Sequence, residues 1–407
     1  MVNTLDDRNL DDRNGETARG YDEIAPVMGF REYWYPACLA REIGEKPLAM
    51  TIMGDPIAFM RRAGKIYALA DECPHRGTRL SLGTCQFPGT KTITCAYHGW
   101  TFDVPSGRCV GALTAGPGSA VVNKVTVRTY PVTECQGILW IWMGKQAPVA
   151  PEADIPELLR QATVIKVVRR LTYGNWRWHV ENPGLGHALM LHRSSMYMRV
   201  RNYPGIAKGI EARLEESDCG PWLCEYCNEI QMSAEYPGLG TWPPPGSAWN
   251  LLREDMSPQF GIAAKVSMRL PGITRVTHFP INGALYYEWF VQIDPDHYNY
   301  FQIACGFPKT ALERAWFLWR YHAWGRPAGM IRFNRQDISM VGNSEDFAKR
   351  HQGSWNSPTR LYEPDRFQIA WRDYVLRYAR DLENGRAAQE SRRQAGNVND
   401  RLQAARS

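Results

Sequence analysis

The sequence lacks any run of eighteen or more apolar residues, so it offers no segment long enough for a membrane-spanning helix. Residues 1–14 are polar and acidic and lack the apolar core that a secretory signal peptide needs. A formal charge of +6 is spread along the chain instead of forming a basic stripe, which argues against nucleic-acid binding. No G-x-G-x-x-G motif stands between a predicted strand and a predicted helix, so we expect no bound dinucleotide.

The composition is that of a globular protein with an ordinary core. The chain has 407 residues, enough for two domains, of which 44% are hydrophobic and 22% are charged. Its 10 cysteines do not suggest a disulfide scaffold in a chain of this length, and they suit a reducing compartment. We therefore expect a cytoplasmic protein without membrane or nucleic-acid partners.

Four metal-binding side chains are concentrated in one short stretch. Cys73 and His75 form a C-x-H pair, and Cys95 and His98 form a C-x2-H pair. Each pair offers one sulfur and one nitrogen, which suits a Rieske [2Fe–2S] cluster, where both cysteines hold one iron and both histidines hold the other. The alternative is a structural zinc site, but zinc modules usually pair cysteine with cysteine and seldom use a one-residue gap. The spacing favours the iron–sulfur cluster.

The hydrophobic pattern divides the chain into two domains. From residue 30 onward, short β-type runs alternate with glycine and proline turns, which predicts an all-β sandwich over 30–150 with the cluster at its tip. The proline-rich stretch 148–156 indicates a linker. Residues 1–29 are predicted to form an N-terminal arm, and residues 383–407 a polar tail.

Residues 157–382 are predicted to combine an antiparallel sheet with helices, so the fold class is α+β. Strand-like runs occupy 265–270, 284–293 and 298–306. A helix is expected to begin at Thr310, to break near Pro327 and to continue towards Asp337. A further amphipathic helix is predicted over 368–382.

A second metal site is expected because a Rieske cluster only moves single electrons. His187 and His192 are the candidates, since their spacing allows two imidazoles to converge. Non-haem Fe(II) oxygenases use two histidines and one carboxylate on one face of the iron. A lone histidine is more often a hydrogen-bonded core or surface residue, and spacing alone does not identify the third ligand.

Several stretches together resemble a known family. They are Cys73-Pro74-His75-Arg76-Gly77, Gly99-Trp100-Thr101-Phe102, Val180-Glu181-Asn182, Leu270-Pro271-Gly272, Glu288-Trp289, Tyr300-Phe301-Gln302 and Phe333-Asn334-x-x-Asp337. They resemble the terminal oxygenase (alpha) components of Rieske non-haem iron ring-hydroxylating oxygenases, in the branch that acts on carbazole-like and diaryl ether compounds. The resemblance spans roughly residues 30–380.

The resemblance implies a Rieske sandwich followed by a catalytic domain of the helix-grip, START-like type. It implies that His187, His192 and Asp337 bind a mononuclear Fe(II), besides the cluster on the four ligands above. It also implies a homotrimer in which the subunits join head to tail. Electrons would come from NAD(P)H through a separate ferredoxin or flavin/iron–sulfur reductase.

The implied activity is angular dioxygenation, with O2, of a two-ring aromatic such as a phenoxybenzoate-like diaryl ether or a carbazole-like compound, in aromatic hydrocarbon catabolism. One alternative is a Rieske monooxygenase or demethylase that acts on a small aromatic. An alternative of a different class is an iron–sulfur electron carrier without catalysis. The motifs do not separate one inserted oxygen from two.

One position departs from the family pattern. The family has an aspartate three residues before the first histidine ligand, where it links the iron site to a cluster histidine of the neighbouring subunit. Here that position is Gly184, and no acid lies between Asn182 and His187. Glu181 and Asn182 are the nearest polar substitutes, so they are the predicted catalytic residues of this link.

Overall fold

The protein is described by a computed structural model that covers residues 25–116, 118–184, 191–192, 195–197, 205–232, 265–351 and 365–382. The predicted tail over 383–407 and residues 1–24 of the predicted arm lie outside these residues. The remainder of the arm packs on the second domain. The carbonyl oxygen of Pro26 accepts a hydrogen bond from Trp176 Nε1 (3.0 Å), and that of Val27 accepts one from Asn175 Nδ2 (3.0 Å).

The N-terminal half of the described chain is built from ten short strands. They are β1 (Trp34–Leu39), β2 (Leu48–Ile52), β3 (Asp55–Arg62), β4 (Lys65–Ala70), β5 (Thr92–Thr94), β6 (Trp100–Asp103), β7 (Cys109–Ala112), β8 (Thr129–Tyr130), β9 (Val132–Cys135) and β10 (Ile138–Trp142). All their pairings are antiparallel, in sheets of order β1-β10-β9, β2-β3-β4-β8 and β5-β6-β7. The predicted all-β character is confirmed.

Tight turns between these strands follow the expected chemistry. The turn from β3 to β4 has Ala63 and Gly64 at its centre, with φ of 47° and 78°. Two residues with positive φ are what a two-residue hairpin turn needs to match the twist of its strands. This hairpin is one of the glycine-containing turns that the sequence pattern predicts between the short strands.

The second domain is organised by one antiparallel sheet of order β11-β17-β16-β15-β14-β13-β12. Its strands are β11 (Val164–Tyr173), β12 (Gly205–Glu215), β13 (Trp222–Met232), β14 (Val266–Arg269), β15 (Ile273–Thr277), β16 (Leu285–Asp294) and β17 (His297–Gly306). The sheet is covered on both sides, because eight successive residues of β16 are buried. Tyr287, Trp289 and Val291 lie in the larger core, whereas Tyr286 packs in a second core with Phe279. Sheet and helices together confirm the α+β fold class.

Two short helices lie between strands along the chain, and three longer ones follow the sheet. The helices are α1 (Glu157–Gln161), α2 (Trp176–Glu181), α3 (Ala311–Arg320), α4 (Asn334–Arg350) and α5 (Arg366–Tyr378). Thr310 caps α3, since its hydroxyl oxygen accepts the Glu313 N–H at 3.2 Å. The predicted break near Pro327 is wrong: Tyr321–Phe333 winds as a π-helical segment that joins α3 to α4. The wider π-helical turn accommodates Pro327, which has no backbone N–H, and the helical chain continues to Asp337.

The two domains share one hydrophobic core. Trp140 of β10 meets Trp289 of β16 edge to face, with ring centroids 5.2 Å apart. The β2–β3 turn adds backbone hydrogen bonds, from Met53 N to Gln292 O (2.7 Å) and from Gly54 N to Ile293 O (3.0 Å). No helix with the length and apolar character of a membrane span occurs in the described part of the chain.

Candidate metal centres

Two loops at the end of the first domain have the same hydrogen-bond pattern. In the first, Cys73 N donates to Thr78 O and Gly77 N donates to Cys73 O, both at 2.8 Å. In the second, Cys95 N donates to Trp100 O at 2.8 Å and Gly99 N to Cys95 O at 3.1 Å. The glycine four residues after each cysteine has a positive φ, 69° and 66°, which closes the loop without strain. The two loops therefore have the same backbone conformation, and each carries one cysteine and one histidine.

In these two loops the cysteine sulfurs are buried and the histidine rings lie nearer the surface. Cys73 and Cys95 are each 3% exposed and lie within hydrogen-bonding reach of each other. The rings of His75 and His98 lie nearer the surface, with centroids 4.5 Å apart, and Trp100 stacks on His75 at 4.9 Å. The predicted ligands are therefore brought together, with the two thiols behind the two imidazoles.

The donor set fits a [2Fe–2S] cluster. Burial raises the pKa of Cys73 to about 11, and the adjacent Cys95 adds to the rise. A thiolate at Cys73 therefore needs a cationic partner, which an iron bound by both sulfurs would provide. The outer imidazoles would hold the second iron, as in a cluster whose two irons have different ligands.

A second set of possible metal ligands, the donor pair, consists of His192 and of Asp337 on α4. His192 Nε2 is 3.4 Å from Asp337 Oδ1, and both residues are buried. Phe333, one turn before Asp337, stacks on the imidazole at a centroid distance of 3.6 Å. His187 lies outside the described residues, among which no three His, Cys, Asp or Glu side chains form a site for one ion. The structure thus brings together two of the three predicted iron ligands.

His192 has a hydrogen-bond partner on the side of the ring away from Asp337. Its Nδ1 lies 2.9 Å from Gln336 Oε1, which accepts the proton in the tautomer that carries it on Nδ1. Nε2 is the ring nitrogen that faces the Asp337 carboxylate. Nitrogen and carboxylate donors held in this way suit non-haem Fe(II).

Glu181 and Asn182, the predicted substitutes for the aspartate that is absent at position 184, have different contacts. Asn182 contacts the site, because its Nδ2 donates to Asp337 Oδ1 at 3.0 Å. Glu181 points towards α5 and accepts two hydrogen bonds from Arg372, at 2.9 and 2.8 Å. Burial raises the pKa of Glu181, and the Arg372 charge opposes that rise. Asn182 therefore holds a predicted iron ligand, and Glu181 ties α2 to α5.

Loss of Arg372 should strongly destabilise the fold. Both partners of the pair are about one-tenth exposed or less, at 8% and 10%, so Arg372→Met leaves a buried carboxylate without its counter-ion. We expect a loss of about 3–5 kcal/mol in the free energy of unfolding, measured by urea denaturation at neutral pH. The double variant Glu181→Gln/Arg372→Met should recover part of this loss. Equal stabilities of Arg372→Met and the native protein would contradict the assignment.

A buried polar network beneath Asp337 was not foreseen from the sequence. Tyr300 donates from its hydroxyl to Glu288, and Asn334 Nδ2 donates to Tyr286 Oη (2.7 Å) and to Tyr300 Oη (3.0 Å). Burial raises the pKa of Glu288 to about 7. The alternation of side chains along a strand could have indicated part of this network. It places Tyr286 and Glu288 on one face of β16, and Tyr300 lies on the neighbouring strand β17. This network fixes the start of α4, the helix that carries Asp337.

His179 of α2 is a further buried imidazole near the site. Its Nδ1 is hydrogen-bonded to the Tyr298 hydroxyl, and its ring stacks on Phe290 at a centroid distance of 4.4 Å. Burial lowers the pKa of His179 to about 4, although the nearby Asp337 charge opposes the shift. His179 is thus a neutral packing residue at neutral pH, and it anchors α2 on the sheet.

Comparison with protein families gives two matches. Residues 33–131 match the family model described as a Rieske [2Fe–2S] domain, which favours the iron–sulfur cluster over zinc. Residues 249–383 match the model described as a homotrimeric ring hydroxylase. The two matches fall on the two halves that carry the cluster loops and Asp337.

Individual relatives extend the likeness to nearly the whole chain. The terminal oxygenase component of carbazole 1,9a-dioxygenase from Sphingomonas sp. is 30% identical over 387 residues, covering 89% of this chain and 95% of the relative. The oxygenase component of dicamba O-demethylase from Stenotrophomonas maltophilia is 37% identical over 172 residues, 40% of this chain and 48% of the relative. A solved complex of oxygenase and ferredoxin in carbazole 1,9a-dioxygenase is similar at 25% identity and a TM-score of 0.73, covering 92% of this chain and 96% of that one.

Proposed function

Because the chain belongs to the Rieske ring-hydroxylating oxygenases, we propose that it is the terminal oxygenase of a multicomponent dioxygenase. Its reaction is angular dioxygenation of a two-ring aromatic, such as a phenoxybenzoate-like diaryl ether or a carbazole-like compound. The observation that carries the proposal is the presence of two separate donor sets in one chain. One is the pair of cysteine and histidine loops, and the other is His192 with Asp337.

Each donor set has a distinct task in this proposal. Cys73, His75, Cys95 and His98 hold the [2Fe–2S] cluster, and His187, His192 and Asp337 hold the mononuclear iron. When bound, the cluster supplies single electrons and the iron supplies open coordination positions for O2 chemistry. The protein holds these side chains in place, since His192 Nδ1 is hydrogen-bonded to Gln336 and Asn182 donates to the Asp337 carboxylate.

Aromatic side chains next to the iron ligands support an aromatic substrate. Phe333, whose ring stacks on His192, also contacts Tyr197 and Phe279, with centroids 5.2 and 5.6 Å apart. Phe279 in turn packs on Tyr286 at 4.7 Å. These rings pack on one another in a buried cluster beside the donor pair, which keeps water away from it. The likeness to carbazole 1,9a-dioxygenase supports a fused or bridged two-ring compound within this class.

An oxygenase of this kind needs a partner protein that supplies electrons to its cluster. We propose that a separate ferredoxin or reductase delivers electrons from NAD(P)H, in line with the oxygenase–ferredoxin complex of the carbazole relative. The match to a homotrimeric ring hydroxylase supports a trimer. We place the Rieske domain at 30–150 and the catalytic domain at 157–382, and we assign the protein to the cytoplasm.

The second candidate is a Rieske monooxygenase or demethylase, which the likeness to dicamba O-demethylase favours. Labelled oxygen separates the two. The protein, with a ferredoxin and reductase, should be incubated under ¹⁸O2 with diaryl ethers, carbazole-like heterocycles and methoxy-aromatics, and the products analysed by mass spectrometry. Dioxygenation predicts two labelled oxygens in one product of a two-ring substrate. One labelled oxygen, or turnover of methoxy-aromatics alone, would favour the second candidate and contradict the first.

A further inference from the structure

A fully buried carboxylate lies next to the first cluster loop. Asp71 directly follows β4, is 0% exposed and precedes the predicted ligand Cys73 by two residues. Consecutive Cα atoms are about 3.8 Å apart, so the Cα atoms of Asp71 and Cys73 are at most about 7 Å apart. Aspartate is seldom buried to this extent without a partner. The partners of Asp71 therefore decide whether its charge is cancelled.

The hydrogen-bond donors to Asp71 are neutral groups of Ser81. Ser81 N donates to Asp71 Oδ1 at 2.6 Å, and Ser81 Oγ donates to Asp71 Oδ2 at 2.7 Å. Each carboxylate oxygen thus accepts a hydrogen bond, which suits the ionised form, since an ionised carboxylate can only accept. None of the arginine, lysine and histidine side chains that the structure describes forms an ion pair with Asp71. The buried charge is therefore held by neutral donors and is not cancelled by a cation.

An apolar core connects this charge to both predicted sulfur ligands. Cys73 and Cys95 belong to one buried hydrophobic cluster, which also contains Leu80. Asp71 lies two residues from Cys73, and Ser81 directly follows Leu80, so the hydrogen-bonded pair adjoins this cluster. Charges in such surroundings interact much more strongly than charges in water. The carboxylate of Asp71 is therefore in electrostatic reach of the place where the sulfurs meet.

The same pair also connects Asp71 to the second cluster loop. A short stretch leads from Ser81 to Thr84, which exchanges two backbone hydrogen bonds with Thr94, at 3.1 and 2.8 Å. Thr94 directly precedes Cys95. Asp71 is thus joined to the first loop along the chain and to the second loop through Ser81. Its position relative to the four predicted ligands is fixed by the fold.

We propose that Asp71 sets the reduction potential of the [2Fe–2S] cluster. Reduction adds one electron, and a fixed negative charge nearby disfavours any gain of negative charge. The carboxylate of Asp71 gives the cluster a lower potential, and makes it a stronger electron donor, than a neutral residue at this position would. Ser81 is the positioning residue of this charge. The inference needs the cluster alone, so a failure to oxidise any aromatic would count against the proposed function and not against the role of Asp71.

The first test replaces the charge by a neutral group of the same shape. In a redox titration of the reconstituted protein, followed by the visible absorption of the cluster, Asp71→Asn should contain more reduced cluster at a fixed solution potential. The ratio of reduced to oxidised cluster should rise about tenfold, which is about 59 mV for a one-electron couple. A unit charge roughly 10 Å away at an effective dielectric constant of about 20 has an effect of this order. Asp71→Ser, a second neutral variant, should change the potential in the same direction.

The matched control removes the same charge from the neighbouring position. Glu72 is exposed, so water and salt screen its carboxylate. Glu72→Gln should change the ratio of reduced to oxidised cluster by less than about twofold, and this change should vanish at high salt. The change in Asp71→Asn should persist at high salt, because the charge that it removes is buried.

A third variant separates the charge from the shape of the loop. Ser81→Ala removes one hydrogen-bond donor and leaves the carboxylate of Asp71 in place, so it should not raise the potential. A purely structural role of the pair predicts that Ser81→Ala and Asp71→Asn move the potential alike. A potential in Asp71→Asn equal to that of Glu72→Gln, or a rise in Ser81→Ala as large as in Asp71→Asn, would overturn the proposal. Should both neutral variants fail to hold the cluster, the sign of the change in Ser81→Ala decides.

Discussion

Asp337→Ala should abolish oxygenation and leave the cluster intact. Asp337 supplies the carboxylate that faces His192 Nε2 at 3.4 Å, and Asn182 holds the same oxygen. Removing it takes one of three predicted ligands from the iron and leaves the Asn182 amide without its acceptor. We expect turnover to fall by on the order of 10³-fold, equivalent to about 4 kcal/mol in the activation barrier. Product formation and iron content should be measured on the same preparation.

The control for this variant is Asp346→Ala on the same helix. Asp346 accepts a hydrogen bond from the Tyr173 hydroxyl at 2.7 Å, at an exposed position. The Asp346→Ala variant should keep native turnover and native iron content, because it removes a carboxylate of α4 that does not contact His192 or Asp337. Activity in Asp337→Ala at the level of Asp346→Ala would remove Asp337 from the site.

Cys73→Ser should remove the cluster itself. Cys73 is buried beside Cys95, and its loop is closed by hydrogen bonds that do not depend on the sulfur. The loop should therefore keep its shape while a hydroxyl replaces a ligand that binds iron as a thiolate. We expect loss of the visible absorption of the cluster and a fall in turnover of at least about 10²-fold, since no other group in the proposal delivers electrons.

Cys85→Ser is the matched control for the cluster. Cys85 lies between the two loops in sequence, is partly exposed, and contacts the Phe87 carbonyl oxygen through its sulfur at 3.2 Å. Its replacement should leave absorption and turnover at native values. A variant of Cys73 that keeps the cluster spectrum would show that another residue is the ligand.

The cluster loops could be predicted because their information is local. Two cysteines, two histidines and a glycine four residues after each cysteine indicate both the predicted ligands and the turn, and the structure shows two matching loops. Strand-rich and helix-rich regions were equally predictable from turn residues and periodicity. Tyr321–Phe333 was not, because a π-helical segment continues a helix where proline normally interrupts it.

The surroundings of the iron site depend on contacts between distant residues. Glu181 and Arg372 are separated by 191 positions, and no local pattern relates them. Sequence reasoning looked for a substitute acid next to Gly184 in the chain, and of the two residues it named, Asn182 contacts Asp337 whereas Glu181 pairs with Arg372. The assignment of Glu181 and Asn182 to the link between the centres stays a prediction.

Iron and acid-labile sulfide per chain test the central claim most directly, which is that one polypeptide holds two different iron centres. The measurement should use native protein reconstituted without oxygen and freed of loosely bound metal. The account predicts about three irons and about two sulfides per chain, with one iron missing in Asp337→Ala. About two irons per chain in both proteins would contradict it and would leave an electron carrier without a site for oxygen chemistry.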